Sequence, residues 1–383
     1  MRFICFHYKT NRAARQGEYT DFWLASAGLV RYNKINPEKW GDIAMLTEKQ
    51  NLLETIQGGN PDRYVNQLRP FSLMFGTPYM AQSRKTPDEN GETVDAWGIT
   101  WTRPVGAPGP IPVHTPEKLV IPDMERWQDF VRFPRVEYTP EEWAPFVESA
   151  ANIDRENCFA TACVMPGVFE MCHHMMNMEN CMVAFYEHPD EMHALIDALT
   201  DWELKNAEQI CTYLKPDALF HHDDWGSATS TLLSPAMWRA FIKPAYKKIY
   251  AYYKAHGVSV IIHHNDAYSA TLVPDMIDVG IDIWQGPVSS NDVAGLIEKY
   301  KGKLSFMGPI DSAAVDKPDW TPEEVEQAVR EAVRKFGRKH VIYGATIGGP
   351  MSAVPGVYDC ITDVIDRINA EEFGFDAEQK ISG

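Results

Sequence analysis

The sequence predicts an α/β protein whose strands close into one parallel barrel, with an N-terminal extension and a hairpin insertion. Short apolar runs rich in β-branched residues recur along the chain, and helical stretches separate them. Strands that alternate with helices pack as a parallel sheet. Six such units follow a first strand, and this number favours a closed barrel over an open sheet.

The first recognisable element begins at Thr47. Thr47 and Gln50 form a capping box before a helical stripe, and Gly58 marks the helix end. Residues 1–45 mix aromatic and basic side chains without periodicity. We therefore expect 1–45 to be an N-terminal extension of a barrel domain at 46–383. A further hypothesis is that translation starts at Met45 and that the extension is not native.

The first strand is predicted at 70–76, and an insertion follows it. Trp97 and Trp101 lie in an alternating segment at 95–104, and a loop rich in Gly and Pro follows at 106–112. This pattern predicts a hairpin and a rigid loop. The two tryptophans either line an aromatic pocket or pack the hairpin.

Six further strands and their helices follow. The strands are predicted at 158–164, 217–222, 258–262, 281–285, 304–308 and 341–344, and the main helices at about 190–214, 234–257, 291–300, 321–337 and 356–370. Ser-Pro and Thr-Pro pairs give the N-cap and first position of two helices, and glycines give their ends. No GxGxxG follows a strand and no P-loop is present, which counts against a dinucleotide-binding fold.

The composition argues against several classes of partner. A formal net charge of -17 argues against nucleic acid and anionic membrane surfaces, because both need a basic patch. No apolar run reaches the roughly 18 residues of a membrane-spanning helix, and the N-terminus lacks the apolar core of a signal peptide. The sequence has seven cysteines, an odd number, and no CxxC motif, so a reduced, cytoplasmic protein is expected.

Two predicted strands end in clusters of histidine and aspartate. One cluster is His221-His222-Asp223-Asp224, and the other is His263-His264-Asn265-Asp266. In an α/β barrel, the carboxyl ends of the strands carry the ligands and the chemistry. His222, Asp224, His264 and Asp266 are therefore candidate catalytic residues. The alternative is that they are ordinary hydrogen-bonded residues at the starts of loops.

Several separated motifs resemble the uroporphyrinogen decarboxylase superfamily. They lie at 58–63, 165–170, 222–226, 233–244 and 280–286, and the resemblance covers roughly 46–370. It implies a (β/α)8 TIM barrel. It also implies either decarboxylation of uroporphyrinogen or zinc-dependent methyl transfer that feeds corrinoid proteins or coenzyme M.

Within this superfamily, the chain is most similar to the methyltransferase components of corrinoid-dependent O-demethylases. The similarity lies in 97–101, 107–110, the pair at 263–264 and 283–286. The arginine-rich stretch with which the decarboxylases grip their substrate is not found, although a tetrapyrrole with many carboxylates needs several cations. The resemblance therefore implies a small methylated substrate, an aryl methyl ether above all, and a corrinoid protein as partner.

The chain departs from the zinc-thiolate members of the superfamily at two places. Those enzymes carry a His-x-Cys at this strand end and a further Cys after the last strand. Here the first pattern reads His264-Asn-Asp266, and residues 344–350 contain no cysteine. Thiol activation of the coenzyme M type is therefore not expected.

Three interpretations of the chemistry stay open. Attack by Co(I) on a methyl ether needs no protein nucleophile, but the leaving oxygen needs a Lewis acid or a proton donor. Zinc held by His264, Asp266 and either His222 or Asp224 would be the Lewis acid. Alternatively, a histidine oriented by an aspartate protonates the oxygen without a metal. A silent barrel that binds a ligand without turnover is the third interpretation.

The predicted substrate-binding residues are Glu170, Trp225, Trp284 and Tyr343. The three aromatic residues either form walls for a methoxyarene or belong to the core. Glu170 is a substrate contact, a further metal ligand or a carboxylate at a helix start. The Cys-His-His run at 172–174 is not expected to bind a metal, because adjacent positions on a helix point in different directions.

Overall fold

The computed structural model describes residues 45–83, 86–104, 107, 109–347 and 353–375. Apart from Met45, the predicted extension lies outside these residues. Eleven strands occur in the described part of the chain. They are β1 (Val65–Asn66), β2 (Phe71–Met74), β3 (Glu92–Val94), β4 (Thr100–Thr102), β5 (Ile111–Pro112), β6 (Phe159–Val164), β7 (Ala218–His222), β8 (Val260–His264), β9 (Ile283–Gln285), β10 (Ser305–Met307) and β11 (Val341–Tyr343).

Eight of these strands form the predicted (β/α)8 TIM barrel. Their order is β1-β11-β10-β9-β8-β7-β6-β2, and every pairing in it is parallel. β1 and β2 stand at the two ends of this order, and only residues 67–70 join them along the chain. This short connection therefore keeps the two ends of the sheet near each other, as a barrel requires.

β1 is the part of the barrel that the sequence did not predict. It consists of Val65 and Asn66, which pair with Ile342 and Tyr343 of β11. The predicted first strand at 70–76 corresponds to β2. A strand of two residues gives no alternation pattern to recognise.

Helices connect the strands and cover the outside of the barrel. They are α1 (Glu48–Gln57), α2 (Pro78–Ser83), α3 (Trp127–Phe130), α4 (Pro140–Ala151), α5 (Val168–Met176), α6 (Met178–Glu187), α7 (Pro189–Tyr213), α8 (Pro235–Met237), α9 (Lys243–Ala255), α10 (Val273–Val279), α11 (Val293–Tyr300), α12 (Ser312–Val315), α13 (Pro322–Phe336) and α14 (Val357–Phe373). A π-helical turn at Trp238–Ile242 joins α8 to α9. Short 3-10 turns occur at Pro116–Lys118, Met124–Arg126, Ala270–Leu272 and Ser289–Asn291.

The helix signals read from the sequence are confirmed. Capping boxes begin α1 at Thr47 and α13 at Thr321. The Ser234 side chain accepts a hydrogen bond from the backbone of Met237 at the start of α8. Gly58 ends α1 with φ at 71°, a left-handed conformation that glycine adopts at little cost.

The strands separate two apolar layers. Ile262 and Ile283 belong to a cluster that fills the barrel, whereas Ile261 and Trp284 belong to the larger cluster under the helices. Successive side chains on a strand point to opposite faces, so this division follows from the strand geometry. Among the described residues, no helix has the length and apolar character needed to cross a lipid bilayer.

The predicted hairpin is present, and β5 adds a third strand to β3 and β4. The buried Trp97 donates from Nε1 to the Tyr79 hydroxyl at 2.7 Å, and its ring lies 4.8 Å from that of Trp202. Trp97 therefore packs the insertion against the barrel. The half-buried Trp101 instead lies 5.1 Å from the ring of His174. Residues 105, 106 and 108 of the following loop lie outside the described part of the chain.

Candidate active site

The side chains at the mouth of the barrel come from the last residues of three neighbouring strands. His222 pairs with His264, and His264 pairs with Gln285, in the register of β7, β8 and β9. His264 lies two residues after Ile262, which faces the barrel interior, so His264 faces inward as well. The His222 and His264 rings stack with centroids 4.3 Å apart. The two predicted clusters therefore meet inside the mouth.

Three of the predicted residues form a group that could hold a metal ion. One ligand atom each from His222, Asp224 and His264 lies within 4.8 Å of the others. Within the described part of the chain, this is the one such group of histidine, cysteine and acidic residues. Two imidazoles and a carboxylate are ligands that zinc accepts.

Each histidine of the group is held by a hydrogen bond at Nδ1. Nδ1 of His222 lies 2.8 Å from Oε2 of Glu170, and Nδ1 of His264 hydrogen-bonds Oε1 of Gln285. This leaves Nε2 of each ring as the nitrogen that a metal could use. Metal-binding histidines commonly have such a carboxylate or amide partner, because it fixes the ring orientation. Glu170 therefore orients His222, and Gln285 orients His264.

Asp223 positions the helix that carries Glu170. Its buried carboxylate accepts hydrogen bonds from the backbone of Phe169 at 3.1 Å and of Glu170 at 2.8 Å, in the first turn of α5. It also accepts from Nε1 of Trp225 at 2.8 Å and from the Tyr246 hydroxyl at 2.5 Å. The strand end of β7 thus fixes both His222 and, through α5, the carboxylate that holds it.

The charges at the mouth favour a cation. Burial alone lowers the pKa of His222, but Glu170, Asp224 and Asp266 outweigh it and raise this pKa to about 10. Burial, and then His222, lower the pKa of His264 to about 4. Burial, and then Asp224, raise the pKa of Asp266 to about 7. The carboxyl groups of Glu170, Asp224 and Asp266 thus favour positive charge at His222, which is an environment suited to a metal cation.

Asp266 lies beside the three-residue group rather than in it. Its backbone N–H donates to Oδ1 of Asp224 at 3.0 Å. The ligand set predicted from the sequence combined His264 and Asp266 with either His222 or Asp224. In the structure both His222 and Asp224 lie with His264, and Asp266 does not belong to this group.

The three predicted aromatic wall residues lie in the core. Trp225 and Trp284 are 1% and 0% exposed, and Nε1 of Trp284 donates to the carbonyl of Asn265. Tyr343 is 0% exposed, and its hydroxyl donates to the carbonyl of Gly337 at the end of α13. β9 and β11 turn Trp284 and Tyr343 outward under the helices, and Trp225 packs against Trp238 and Tyr246. The core interpretation therefore fits all three better than substrate contact.

Glu170 and Gln285 show what the sequence could and could not reveal. Glu170 was predicted as a substrate-binding residue, and the structure places its carboxylate on His222. Gln285 was not predicted, because its role depends on the register between β8 and β9. Asp223 was also missed as a positioning residue. The sequence signal for it was only its place directly after His221 and His222, because the helix that it caps lies 53 residues earlier in the chain.

A second hydrogen-bond network lies on the outer face of the same strands. Nε2 of His221 lies 2.7 Å from Glu203, and the Tyr250 hydroxyl lies 3.1 Å from Nδ1 of His221 and 2.7 Å from Nδ1 of His263. Both histidines are fully buried. One member of each histidine pair therefore belongs to the mouth, and the other stabilises the contact between the barrel and its helices.

Comparison with known proteins finds similar proteins both by sequence and by structure. The family model of uroporphyrinogen decarboxylase (URO-D) matches residues 118–367. The uroporphyrinogen decarboxylases of Bacillus anthracis and Bacillus mycoides are each 29% identical over 138 residues, which is 33% of this chain and 36% of theirs. The matched segment thus spans about a third of these curated relatives.

The fold is also found in a solved structure. A methyltransferase from Methanosarcina mazei superposes with a TM-score of 0.58 at 15% sequence identity, over 84% of this chain and 99% of that one. At this identity, the similarity concerns the fold. Because the family model covers well over half of the sequence, the chain belongs to the uroporphyrinogen decarboxylase (URO-D) family.

Proposed function

We propose that this chain transfers a methyl group from a small methylated substrate, an aryl methyl ether above all, to the Co(I) of a corrinoid protein. The observation that carries the proposal is the group of His222, Asp224 and His264 at the barrel mouth. Its donors are nitrogen and oxygen, without a thiolate. Such a set suits a Lewis acid that acts on an ether oxygen better than the activation of a thiol.

The residues of the mouth fit zinc. The ligand atoms lie close enough together to share one ion, and Glu170 and Gln285 already hold the histidine rings through Nδ1. The surrounding carboxyl groups favour positive charge. When bound here, zinc would supply Lewis-acid stabilisation of the negative charge that develops on the leaving oxygen.

The protein contributes orientation and access. Glu170 holds His222, Gln285 holds His264, and the backbone of Asp266 holds Asp224. These contacts fix the polar groups before the substrate arrives, which is the condition for effective electrostatic stabilisation. A corrinoid cannot enter the barrel whole, so the partner protein would present its cobalt face to the mouth.

The alternatives differ in what they need from the mouth. A metal-free mechanism, in which a histidine protonates the departing oxygen, uses the same residues and predicts activity without zinc. Decarboxylation of a porphyrinogen needs several cations that converge on its carboxylates. The identified mouth residues are imidazoles, carboxylates and an amide, which argues against that substrate. If the barrel is catalytically silent, neither methyl transfer nor decarboxylation is expected.

The test is spectroscopic. The purified protein, loaded with zinc or stripped of it, is mixed with Co(I) corrinoid on a carrier protein and with a panel of methoxybenzenes. Conversion of the Co(I) absorption to that of methyl-Co(III) measures the transfer. The variants His264→Ala and Asp224→Ala test the site, and Glu203→Gln on the outer face is the matched control.

We expect conversion with the zinc-loaded protein and with Glu203→Gln, and its loss in the two mouth variants. Conversion that is independent of zinc would support the proton-donor mechanism. Conversion that persists in both mouth variants would support the proposed function but contradict the proposed site. If an active carrier receives no methyl group from O-, N- or S-methyl donors, the silent barrel becomes the better account.

A further inference from the structure

One face of α5 points its polar residues toward the barrel mouth. Glu170, His173 and His174 stand at positions i, i+3 and i+4, which share a face of a helix. The Glu170 carboxylate lies on His222, so this face is directed at the candidate metal site. The charge of Asp224 acts on His173, and that of His222 acts on His174. The two histidines therefore extend the mouth one helical turn beyond Glu170.

The hairpin insertion contributes to the same surface. The ring of Trp101 lies 5.1 Å from that of His174, and the His173 and His174 rings lie 4.6 Å apart. Nε2 of His114 lies 3.1 Å from the carbonyl of His174. Two imidazole rings and an indole ring thus form a continuous wall between α5 and the hairpin, with a third histidine beside them.

This wall is not a second metal site. In the described part of the chain, these histidines do not bring three ligand atoms as close together as His222, Asp224 and His264 do. However, Nδ1 of His174 is buried without a hydrogen-bond partner among the described residues. Buried polar atoms are normally paired, and an unpaired one costs free energy. A ligand with a hydrogen-bonding group would remove that cost.

The wall is uncharged near neutral pH. Burial is the main cause that lowers the pKa of His173 to about 4, and it also lowers that of His174 strongly. A neutral imidazole has one donor and one acceptor nitrogen, so it can accept a hydrogen bond from a hydroxyl group. It cannot neutralise a carboxylate as an arginine or lysine would.

We infer that His173, His174 and Trp101 form the substrate-recognition wall of this site, and that the wall selects a neutral aromatic methyl donor with a free hydroxyl group. The inference rests on the proposed function, because it assumes that the methyl donor binds at this mouth. The aromatic rings would contact the flat face of the donor. The unpaired ring nitrogen of His174 would accept the hydrogen bond from its hydroxyl group.

Direct binding tests this inference without any need for turnover. Calorimetric titration of the zinc-free protein, in which no metal attracts a carboxylate, uses three probes: 3-methoxyphenol, methoxybenzene and 3-methoxybenzoate. Native protein is compared with His174→Phe, which removes the acceptor, and with His174→Asn, whose amide group replaces Nδ1. His193→Phe is the matched control, because His193 lies on the outer helix α7 and stacks on Phe241 of the π-helical turn. Thermal unfolding verifies that each variant is folded.

For native protein, we expect 3-methoxyphenol to bind about two- to tenfold more tightly than methoxybenzene, as one neutral hydrogen bond allows, and 3-methoxybenzoate to bind most weakly. The preference for the hydroxyl group should disappear in His174→Phe and persist in His174→Asn and His193→Phe. If His174→Phe does not fold, His174→Leu, which also lacks the acceptor, replaces it, and an unchanged preference for the hydroxyl group in that variant overturns the inference.

Two further results would overturn the inference. One is an unchanged preference for the hydroxyl group in His174→Phe. The other is tightest binding of the carboxylate probe, which would require a cationic wall. If no probe binds, the inference fails, whereas methyl transfer from a non-aromatic donor in the spectroscopic assay would still uphold the methyltransferase proposal.

Discussion

At the scale of single residues, the end of β7 carries two carboxylate–histidine pairs. One pair faces the barrel mouth, and the other faces the helices outside the barrel. Glu170 meets His222 inside the mouth at 2.8 Å, and Glu203 meets His221 outside the barrel at 2.7 Å. The two histidines are adjacent in the sequence. Because neighbouring strand residues face opposite sides, only one of them can belong to the mouth. Of this pair of histidines, the sequence analysis predicted only His222 as a site residue, whereas the pairing with the two carboxylates depends on helices packed from elsewhere in the chain.

These two pairs make a matched test of the metal site. Glu170→Gln should weaken zinc binding about 10- to 100-fold, because an outer partner of a metal-binding histidine contributes that much to affinity. Glu203→Gln should leave zinc affinity unchanged and lower the free energy of unfolding instead. Competition with a chromogenic chelator measures the affinities. Equal zinc affinity of both variants would contradict the assignment of Glu170.

The two aspartates at the mouth give a second prediction. Asp224→Ala should reduce zinc affinity by more than the roughly 100-fold expected for an outer partner, because it removes a ligand. Asp266→Ala should retain zinc, since Asp266 lies outside the three-residue group and its backbone N–H still donates to Asp224. Metal analysis after dialysis compares the two variants. Zinc lost from Asp266→Ala and kept by Asp224→Ala would restore the ligand set first predicted from the sequence.

At the scale of elements, the packing of α5 against the end of β7 places the site. Asp223 caps the first turn of α5, and Gly167 lies immediately before it. A Cβ atom on Gly167 would lie 2.4 Å from the Tyr246 hydroxyl and 2.5 Å from Cβ of Asp223. Glycine is therefore required by the close approach of helix and strand, and the sequence signal for it was only a Pro-Gly pair after a strand.

Gly167→Ala should consequently destabilise the protein by about 1–3 kcal/mol, the usual cost of overpacking a tight contact. Gly109→Ala is the control, because a Cβ atom there meets nothing within 4 Å. It should change stability by less than about 0.5 kcal/mol. Urea denaturation measures both. If the two variants are equally stable, α5 is not held as tightly as the geometry indicates.

At the scale of the whole molecule, the barrel class was predictable because long apolar strands and capped helices leave strong local patterns. The closure of the barrel was less predictable, because β1 has only two residues and is held by partners that are distant in the sequence. Asn369 of α14 accepts from the backbone N–H of Tyr64 at 2.9 Å and donates to its carbonyl at 3.0 Å. The last helix therefore holds the start of the first strand.

Asn369→Ala should lower the free energy of unfolding by at least about 2 kcal/mol, because it leaves two backbone groups of the nearly buried Tyr64 unpaired. Asn152→Ala, which removes an exposed hydrogen bond to Glu148, should cost much less. Thermal and urea unfolding should show this difference. A small effect of Asn369→Ala would mean that the barrel closes without the last helix.

The central claim is that the mouth holds zinc through nitrogen and oxygen ligands without a thiolate. Zinc K-edge X-ray absorption of the loaded protein tests it most directly. We predict one zinc per chain, nitrogen and oxygen scatterers at about 2.0–2.2 Å, and an outer pattern of two imidazoles that is reduced in His264→Ala. A sulfur scatterer at about 2.3 Å, or a spectrum unchanged in that variant, would contradict the claim.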